Sequence, residues 1–216
     1  MSKKNKEGFE TRAIHAGQKA DPTTGAVMMP IYTSSTFEQE SPGVHKGYDY
    51  SRSANPTRKA FEDCIASLED GEVGFGFSSG VAAISACVEL LSPGDHVIAM
   101  NDLYGGTVRL FNEIKTLSQG IEVTYVDMTD MQNVTAAKTD KTKMIFVETP
   151  TNPLLRVVDL SAIADFAKAE NLLSVCDNTF ASPYVQQPLS HGIDIVLHSA
   201  TKYLGGHSDL IAGALV

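Results

Sequence analysis

The chain has 216 residues, a formal net charge of −9 and a hydrophobic content of 43%. This composition is typical of a folded protein with a substantial core, and the length suits one domain or slightly more. The acidic balance argues against nucleic acid as a partner, because phosphates would be repelled, but it is compatible with a small anion held by local donors.

The cysteines and the N-terminus indicate the compartment. Cys64, Cys87 and Cys176 lie inside apolar segments without the spacing of a disulfide framework or a metal site, so we expect reduced thiols and no metal. The basic first residues are not followed by an apolar stretch, so no signal peptide is predicted. No apolar run reaches membrane-spanning length. These features favour a cytoplasmic protein with no membrane partner.

Residues 1–54 are rich in Gly, Pro, Ser and Thr and contain few periodic apolar segments. We expect an extended N-terminal arm that is ordered only by packing, either on a neighbouring subunit or on its own domain. From Asn55 the pattern becomes regular. Asn55 as cap and Pro56 at the first helical position predict a helix whose apolar face ends before Gly71.

Residues 55–216 alternate apolar strands with helical patterns and are predicted to form one domain. A buried helix is predicted over 80–91. Strands are predicted over 97–100, 121–126, 144–147, 172–176 and 193–197, and helices over 108–117, 130–138 and 160–170 separate several of them. This alternation favours an α/β fold with a largely parallel sheet.

Polar residues follow four of the predicted strands, at the edge of a parallel sheet where ligands gather. We expect these strand ends to meet at one cleft. The residues concerned are Tyr104 after the first strand, Asn152 after the third, Asp177 and Thr179 after the fourth, and Ser199, Thr201 and Lys202 after the fifth.

Lys202 is the most informative of these residues, because it follows an apolar strand among hydroxyls and small side chains. An ammonium withdrawn from water there becomes a nucleophilic amine, which condenses with a carbonyl to form a Schiff base. The alternative is an ordinary lysine with a solvated or salt-bridged head.

The segment Ser78-Ser79-Gly80-Val81 places small residues directly before the buried helix. Free N–H groups at such a helix start bind phosphate, although the same pattern also fits a simple serine cap. Ser199 and Thr201 add hydroxyl donors, and Arg52 offers a guanidinium suited to phosphate.

Asp177 and Tyr104 complete the set. Asp177 ends an apolar strand, so we expect a partly buried carboxylate that requires a cationic partner, or else a carboxylate that caps its loop. Tyr104 offers a ring for stacking and a phenol for proton transfer, or else lies at the edge of the core. A Schiff-base lysine, an acid for a pyridinium nitrogen, a phosphate cradle and a stacking ring together indicate pyridoxal 5'-phosphate.

On these residues the chain resembles the pyridoxal-phosphate enzymes of cysteine and methionine metabolism, and most closely their cystathionine γ-lyase and γ-synthase branch. The resemblance runs through Tyr50-Ser51-Arg52, Asn55-Pro56-Thr57, Ser78-Ser79-Gly80, Tyr104-Gly105-Gly106-Thr107, Glu148-Thr149-Pro150-Thr151-Asn152-Pro153, Asp177-Asn178-Thr179-Phe180-Ala181 and Ser199-Ala200-Thr201-Lys202-Tyr203. It implies a mostly parallel, seven-stranded sheet of the aspartate aminotransferase-like (fold type I) large domain.

The resemblance also implies roles for individual residues. Lys202 would hold the cofactor and shuttle protons, Tyr104 would stack on its ring and assist proton transfer, and Asp177 would pair with its ring nitrogen. The remaining cofactor-binding positions would be Gly80, Val81, Asn152, Thr179, Ser199 and Thr201, with Tyr50 and Arg52 contributed by a neighbouring subunit. Arg109 would lie near the distal end of the substrate, a small amino acid.

The implied activity is cleavage or formation of the Cγ–S bond of cystathionine or a related sulfur amino acid, by α,γ-elimination or γ-replacement, within transsulfuration and amino-acid biosynthesis. Close alternatives are cystathionine β-lyase, O-acylhomoserine sulfhydrylase or a non-catalytic cofactor-binding fragment. A homotetramer built as a dimer of dimers is expected. Gly106 replaces the cysteine of methionine γ-lyases, and the chain stops before the family's C-terminal small domain.

Overall fold

The computed structural model describes residues 7–216, so the basic residues 1–6 lie outside the described residues. The chain divides into two compact units, Met1–Gly76 and Phe77–Val216. The predicted functional boundary between residues 54 and 55 concerns a neighbouring subunit and stays a prediction. Across the described residues, no helix combines the length and the apolar character needed to cross a membrane.

The first unit contains α1 (Phe9–His15), a hairpin of β1 (Gln39–Ser41) and β2 (Val44–His45), and α2 (Pro56–Leu68). The start of α2 is as predicted, because Asn55 Oδ1 accepts hydrogen bonds from the backbone N–H groups of Thr57 (2.9 Å) and Arg58 (3.4 Å). These bonds satisfy two of the donors that a helix start leaves unpaired.

Helix α1 lies within the segment that the sequence predicted to be extended. Its buried Arg12 donates hydrogen bonds to the carbonyl of Ser67 and to Asp70 Oδ1 (2.6 Å), both at the end of α2. A helix of seven residues without a side-chain cap has little stability of its own. Contacts with α2 therefore order α1, and local sequence patterns could not reveal them.

The second unit is an α/β structure whose strands are parallel from β4 to β8 and end with one antiparallel strand, β9. The sheet order is β3-β9-β8-β7-β6-β4-β5, which confirms the expected mostly parallel, seven-stranded sheet. The strands are β3 (Phe75–Phe77, at the boundary of the two units), β4 (His96–Met100), β5 (Glu122–Val126), β6 (Thr142–Glu148), β7 (Leu173–Asp177), β8 (Ile195–His198) and β9 (Gly213–Leu215).

Each helical pattern predicted in this unit corresponds to a helix, with the ends shifted by a few residues. The helices are α3 (Gly80–Val88), α4 (Gly105–Arg109) continuing through a π-helical turn (Leu110–Lys115) into α5 (Thr116–Gln119), α6 (Met131–Ala137), α7 (Leu160–Ala169), α8 (Ser182–Val185) and a 3-10 turn (Pro188–His191). Helix α3 stops earlier than predicted, and Leu90 beyond its end is exposed.

The strand order creates a crevice at the carboxyl edge of the sheet. Strand β4 has β5 on one side and β6 on the other, and β7 lies beyond β6. The chain therefore leaves β4 and β6 in opposite directions, which is the arrangement that opens ligand crevices in parallel sheets. Beneath this edge β4 is buried throughout, and β6, β7 and β8 are buried at all but one position each. Phe111 packs edge-on against Phe146 with ring centroids 5.4 Å apart.

Candidate active site

One cavity of about 240 Å³ in the second unit lies at the carboxyl edge of the sheet. It gathers residues that are far apart in sequence, from the start of α3 and from the ends of β4, β6, β7 and β8. Its lining residues are Ser79, Gly80, Val81, Ile84, Tyr104, Glu148, Asn152, Asp177, Thr179, Phe180, Ser199, Thr201, Lys202 and Ile211.

The start of α3 forms one wall. Ser79 caps the helix, since its Oγ accepts a hydrogen bond from Ala82 N (3.1 Å), so the simple cap interpretation is correct. Capping leaves the N–H groups of Gly80 and Val81 without helical partners, and these can bind an anion. A Cβ at Gly80 would lie 2.7 Å from Ser199 Cβ, so glycine is what lets the helix start approach Ser199.

Ser199 and Thr201, whose hydroxyls were predicted to bind phosphate, line this cavity, and hydrogen bonds within the protein hold both residues. Thr179 Oγ1 donates to Asp177 Oδ1 and accepts from Ser199 N (2.8 Å), so it links the end of β7 to the segment after β8. Thr201 Oγ1 exchanges hydrogen bonds with the backbone of Ala212. Ser199 and Thr201 are thus held in place beside the start of α3.

Asp177 and Glu148 form the acidic floor of the cavity. They are paired in register at the ends of β7 and β6, and they are only 6% and 5% exposed. Burial raises the pKa of Asp177, although the hydroxyl and N–H of Thr179 and the nearby His198 lower it. Burial and the charge of Asp177 raise the pKa of Glu148 from 4.5 to about 8.

Among the described residues, Asp177 forms no ion pair with a lysine or an arginine. The cationic partner expected for Asp177 is therefore not one of these side chains. Its carboxylate instead accepts hydrogen bonds from Thr179. A buried carboxylate aimed into a cavity suits a cationic ligand atom such as a protonated ring nitrogen.

Tyr104 directly precedes α4 and places its ring in the cavity with 43% of the residue exposed. Gly106 explains the position of this ring, because a Cβ at residue 106 would lie 2.4 Å from Tyr104 Cε1. The backbone N–H of Tyr104 donates a hydrogen bond to Glu148 Oε2 (2.9 Å). The ring is therefore free to contact a ligand while its backbone is anchored.

Lys202 lies in a run of turns after β8, and here one expectation was wrong. Its side chain lines the cavity but is exposed, whereas the sequence predicted a lysine withdrawn from water. The turns hold it at the rim, because its backbone N–H bonds to the Ser199 carbonyl (3.1 Å). Within residues 7–216 its Nζ forms no hydrogen bond or ion pair, so the amine is available for a ligand.

Three predicted site residues do not line the cavity. Tyr50 and Arg52 belong to the first unit, where the Arg52 guanidinium lies 4.8 Å from the centroid of the Tyr50 ring. Arg109 lies exposed at the end of α4. Their roles, like those of the lining residues, stay predictions.

Sequence reasoning assigned no role to several lining residues. Phe180, which lies within the motif Asp177-Asn178-Thr179-Phe180-Ala181, and Ile211, which lies in no quoted motif, supply apolar surface. Glu148 was visible as a polar residue after a strand, but its importance depends on the register with Asp177, which only the sheet reveals. The placement of Asn152 was predicted correctly, since it lines the cavity on the loop that follows β6.

The residues present fit pyridoxal phosphate. The close approach of Gly80 to Ser199 leaves helix N–H groups and a hydroxyl on one side, suited to a phosphate. An accessible lysine, a buried acid and an aromatic ring line the same cavity. This donor set and the parallel α/β sheet are typical of the large domain of pyridoxal-phosphate proteins with the aspartate aminotransferase-like fold.

The chain belongs to the Cys/Met metabolism PLP-dependent enzyme family, whose model matches residues 10–216. It is 58% identical over 211 residues to a cystathionine beta-lyase of Coxiella burnetii, covering 98% of this chain and 54% of the relative. It is 52% identical over 207 residues to a cystathionine gamma-lyase of Bacillus subtilis, covering 96% and 54%.

A solved structure gives the same result. Cystathionine gamma-lyase from Lactobacillus plantarum, crystallised with L-serine, superposes with a TM-score of 0.94 and 55% identity over 97% of this chain and 55% of that chain. The chain thus spans about half the length of the relatives it matches. The family depends on pyridoxal phosphate, as the sequence predicted.

Proposed function

We propose that the protein is a pyridoxal-phosphate-dependent carbon–sulfur lyase or transferase that acts on cystathionine or a related sulfur amino acid. The observation that carries the proposal is that Lys202, Asp177, Tyr104 and the start of α3 line one and the same cavity. The names of the relatives, cystathionine lyases and synthases, support the substrate class.

In this proposal each wall of the cavity has one task. The N–H groups of Gly80 and Val81, with the Ser199 and Thr201 hydroxyls, bind the cofactor phosphate. Asn152 and Thr179 would help to hold the cofactor ring. Bound pyridoxal phosphate supplies an electron sink that stabilises negative charge on the substrate carbon next to the amine.

The proton chemistry falls to the protein. Lys202 Nζ would hold the cofactor and would carry protons to and from the substrate carbons. Asp177, buried at the end of β7, keeps the cofactor ring nitrogen protonated. The Tyr104 phenol would assist this proton transfer.

Three parts of the proposal lie beyond the cavity. Tyr50 and Arg52 serve the phosphate site of a neighbouring subunit, within a homotetramer. Their stacked arrangement supports this role, because it presents a guanidinium on the surface of the first unit. Arg109, exposed at the end of α4, contacts the distal end of the substrate.

The compartment proposed for the protein is the cytoplasm, in keeping with its free cysteines.

A second candidate is β-elimination, which the name of the Coxiella relative favours. The two lyase reactions cut the same thioether on opposite sides of sulfur. Elimination at Cγ releases cysteine and a four-carbon ketoacid, whereas elimination at Cβ releases homocysteine and pyruvate. Replacement at Cγ would instead consume an O-acylhomoserine and cysteine.

Product analysis tests the proposal. The purified protein loaded with pyridoxal phosphate is incubated with cystathionine, or with O-acylhomoserine and cysteine. Thiols and ketoacids formed from cystathionine, and cystathionine and the released carboxylic acid formed from O-acylhomoserine and cysteine, are identified by mass spectrometry. Any of these products formed at a rate proportional to enzyme concentration supports the proposal. Cofactor bound with none of these products would refute it and indicate a non-catalytic cofactor-binding protein.

A further inference from the structure

Two loops at the crevice carry groups that face the cavity. We call residues 101–104, after β4, the tyrosine loop and residues 149–159, after β6, the asparagine loop. In the second unit, the backbone pairing of β4 with β6 ends at Ala99 and Phe146, so it does not extend into the tyrosine loop or the asparagine loop. Because the chain leaves the two strands in opposite directions, side chains must set the position of one loop relative to the other.

Two carboxylates bridge the crevice in opposite directions. Asp102, on the tyrosine loop, accepts hydrogen bonds at Oδ2 from Thr151 Oγ1 and from Leu154 N (3.2 Å), both on the asparagine loop. Glu148, directly before the asparagine loop, accepts at Oε2 from Tyr104 N (2.9 Å). The asparagine loop is thus hydrogen-bonded to Asp102 of the tyrosine loop, and the tyrosine loop is hydrogen-bonded to Glu148, which directly precedes the asparagine loop.

These contacts are shielded from water. Asp102 is 9% exposed and Thr151 is fully buried. Hydrogen bonds from N–H and O–H donors to a buried carboxylate are stronger than neutral ones, and a donor left unpaired there is unfavourable. Thr151 Oγ1 also accepts from Arg156 N (2.9 Å), so the bridge is continuous with the fold of the asparagine loop.

We propose that Asp102 and Glu148 act together as positioning residues that fix the Tyr104 ring relative to Asn152. The inference rests on the proposed function, in which Tyr104 and Asn152 both contact the cofactor ring. Asp102 does not line the cavity. It acts through Thr151 and Leu154, which hold the loop that carries Asn152.

Hydrogen exchange in the cofactor-free full chain tests the mutual dependence of the two contacts. In Asp102→Ala we expect the Tyr104 amide to exchange at least about tenfold faster, although its own acceptor, Glu148, is unchanged. Asp102→Asn keeps an acceptor oxygen and should restore slow exchange. Faster exchange at Leu154 alone, with Tyr104 unaffected, would show that the contacts are independent and would overturn the proposal.

Kinetics and cofactor spectroscopy test the consequence in the loaded enzyme. Asp102→Ala should lower kcat about tenfold or more while KM changes less than about threefold, because the groups around the reacting centre are displaced. The visible circular dichroism of bound pyridoxal phosphate should change as well, and Asp102→Asn should restore both. Unchanged kcat and dichroism in Asp102→Ala would contradict the proposal.

Two further variants keep the test decisive. Thr151→Val retains the shape of the side chain but removes the hydroxyl that meets Asp102, so it substitutes if Asp102→Ala does not fold. Asp130→Ala is the matched control, since Asp130 also accepts a backbone N–H, from Gln132 (2.9 Å), but at the exposed start of α6. If the parent lacks activity towards every sulfur amino acid, the proposed function fails, whereas the exchange result still decides whether the two carboxylates act together.

Discussion

The two sides of the cavity are held in different ways. Glu148 and Asp177 end neighbouring parallel strands, are almost fully buried and accept hydrogen bonds from adjacent backbone. Lys202 lies in turns, and both it and Tyr203 are exposed. Acids held in one place are thus supplied by the sheet edge, and the lysine, which in the proposed function must change partners, comes from exposed turns.

Removing the lysine should have the largest effect. Lys202→Ala is expected to lower kcat by about 10³-fold or more, because the covalent attachment and the proton transfer proposed for this residue would both be lost. The steady-state rate of product formation from cystathionine measures this. Lys168→Ala, which removes an exposed lysine near the end of α7, is the control and should leave the rate unchanged. A Lys202→Ala enzyme within tenfold of the parent would remove Lys202 from the mechanism.

Neutralising the acid side should come next. Asp177→Asn is expected to lower kcat about 10²-fold, because the cofactor ring nitrogen would lose the anionic partner proposed for it. The cofactor-free protein should become more stable to urea, since burial disfavours the Asp177 carboxylate and raises its pKa. If this variant loses activity while its stability to urea rises, the role of Asp177 is electrostatic rather than structural. Unchanged turnover would show that the electron-sink role is misplaced.

Position 106 tests how the ring between the two sides is placed. Gly106→Ala would put a Cβ 2.4 Å from Tyr104 Cε1, so the ring must move and kcat should fall about tenfold. Gly105→Ala is the matched control, because a Cβ there meets no atom within 4 Å. Equal effects of the two substitutions would indicate a change in helix α4 rather than displacement of the ring.

The smallest effect concerns stability and pH. Burial raises the pKa of Glu148 from 4.5 to about 8, so its neutral form is favoured in the folded protein. That stabilisation is complete below pH 4.5 and is lost as the pH rises through about 8. Glu148→Gln should therefore flatten the fall in the free energy of unfolding of the cofactor-free protein over this range. An unchanged slope would mean that another group causes it.

Much of the second unit could be predicted from sequence, because its signals are local. Apolar strand patterns that alternate with helical patterns predicted the sheet, and polar residues after β4, β6, β7 and β8 predicted the edge of the sheet at which the cavity lies. The motifs identified the family, which the comparison with its model confirms.

Features that depend on long-range contacts could not be predicted. The pairing of Glu148 with Asp177 follows from strand register, and the ordering of α1 follows from Arg12 reaching the end of α2. Lys202 was expected to be withdrawn from water because it follows a buried strand. The strand ends at His198, and the turns beyond it carry the side chain to the rim.

The most direct test asks which lysine receives the cofactor. The protein is incubated with pyridoxal phosphate, reduced with borohydride to make the lysine–cofactor bond permanent, digested and mapped by mass spectrometry. We predict a single modified position, Lys202, formed at one equivalent of cofactor and displaced by excess cystathionine added before reduction. Modification of another lysine, or of many lysines equally, would contradict the assignment of this cavity as the active site.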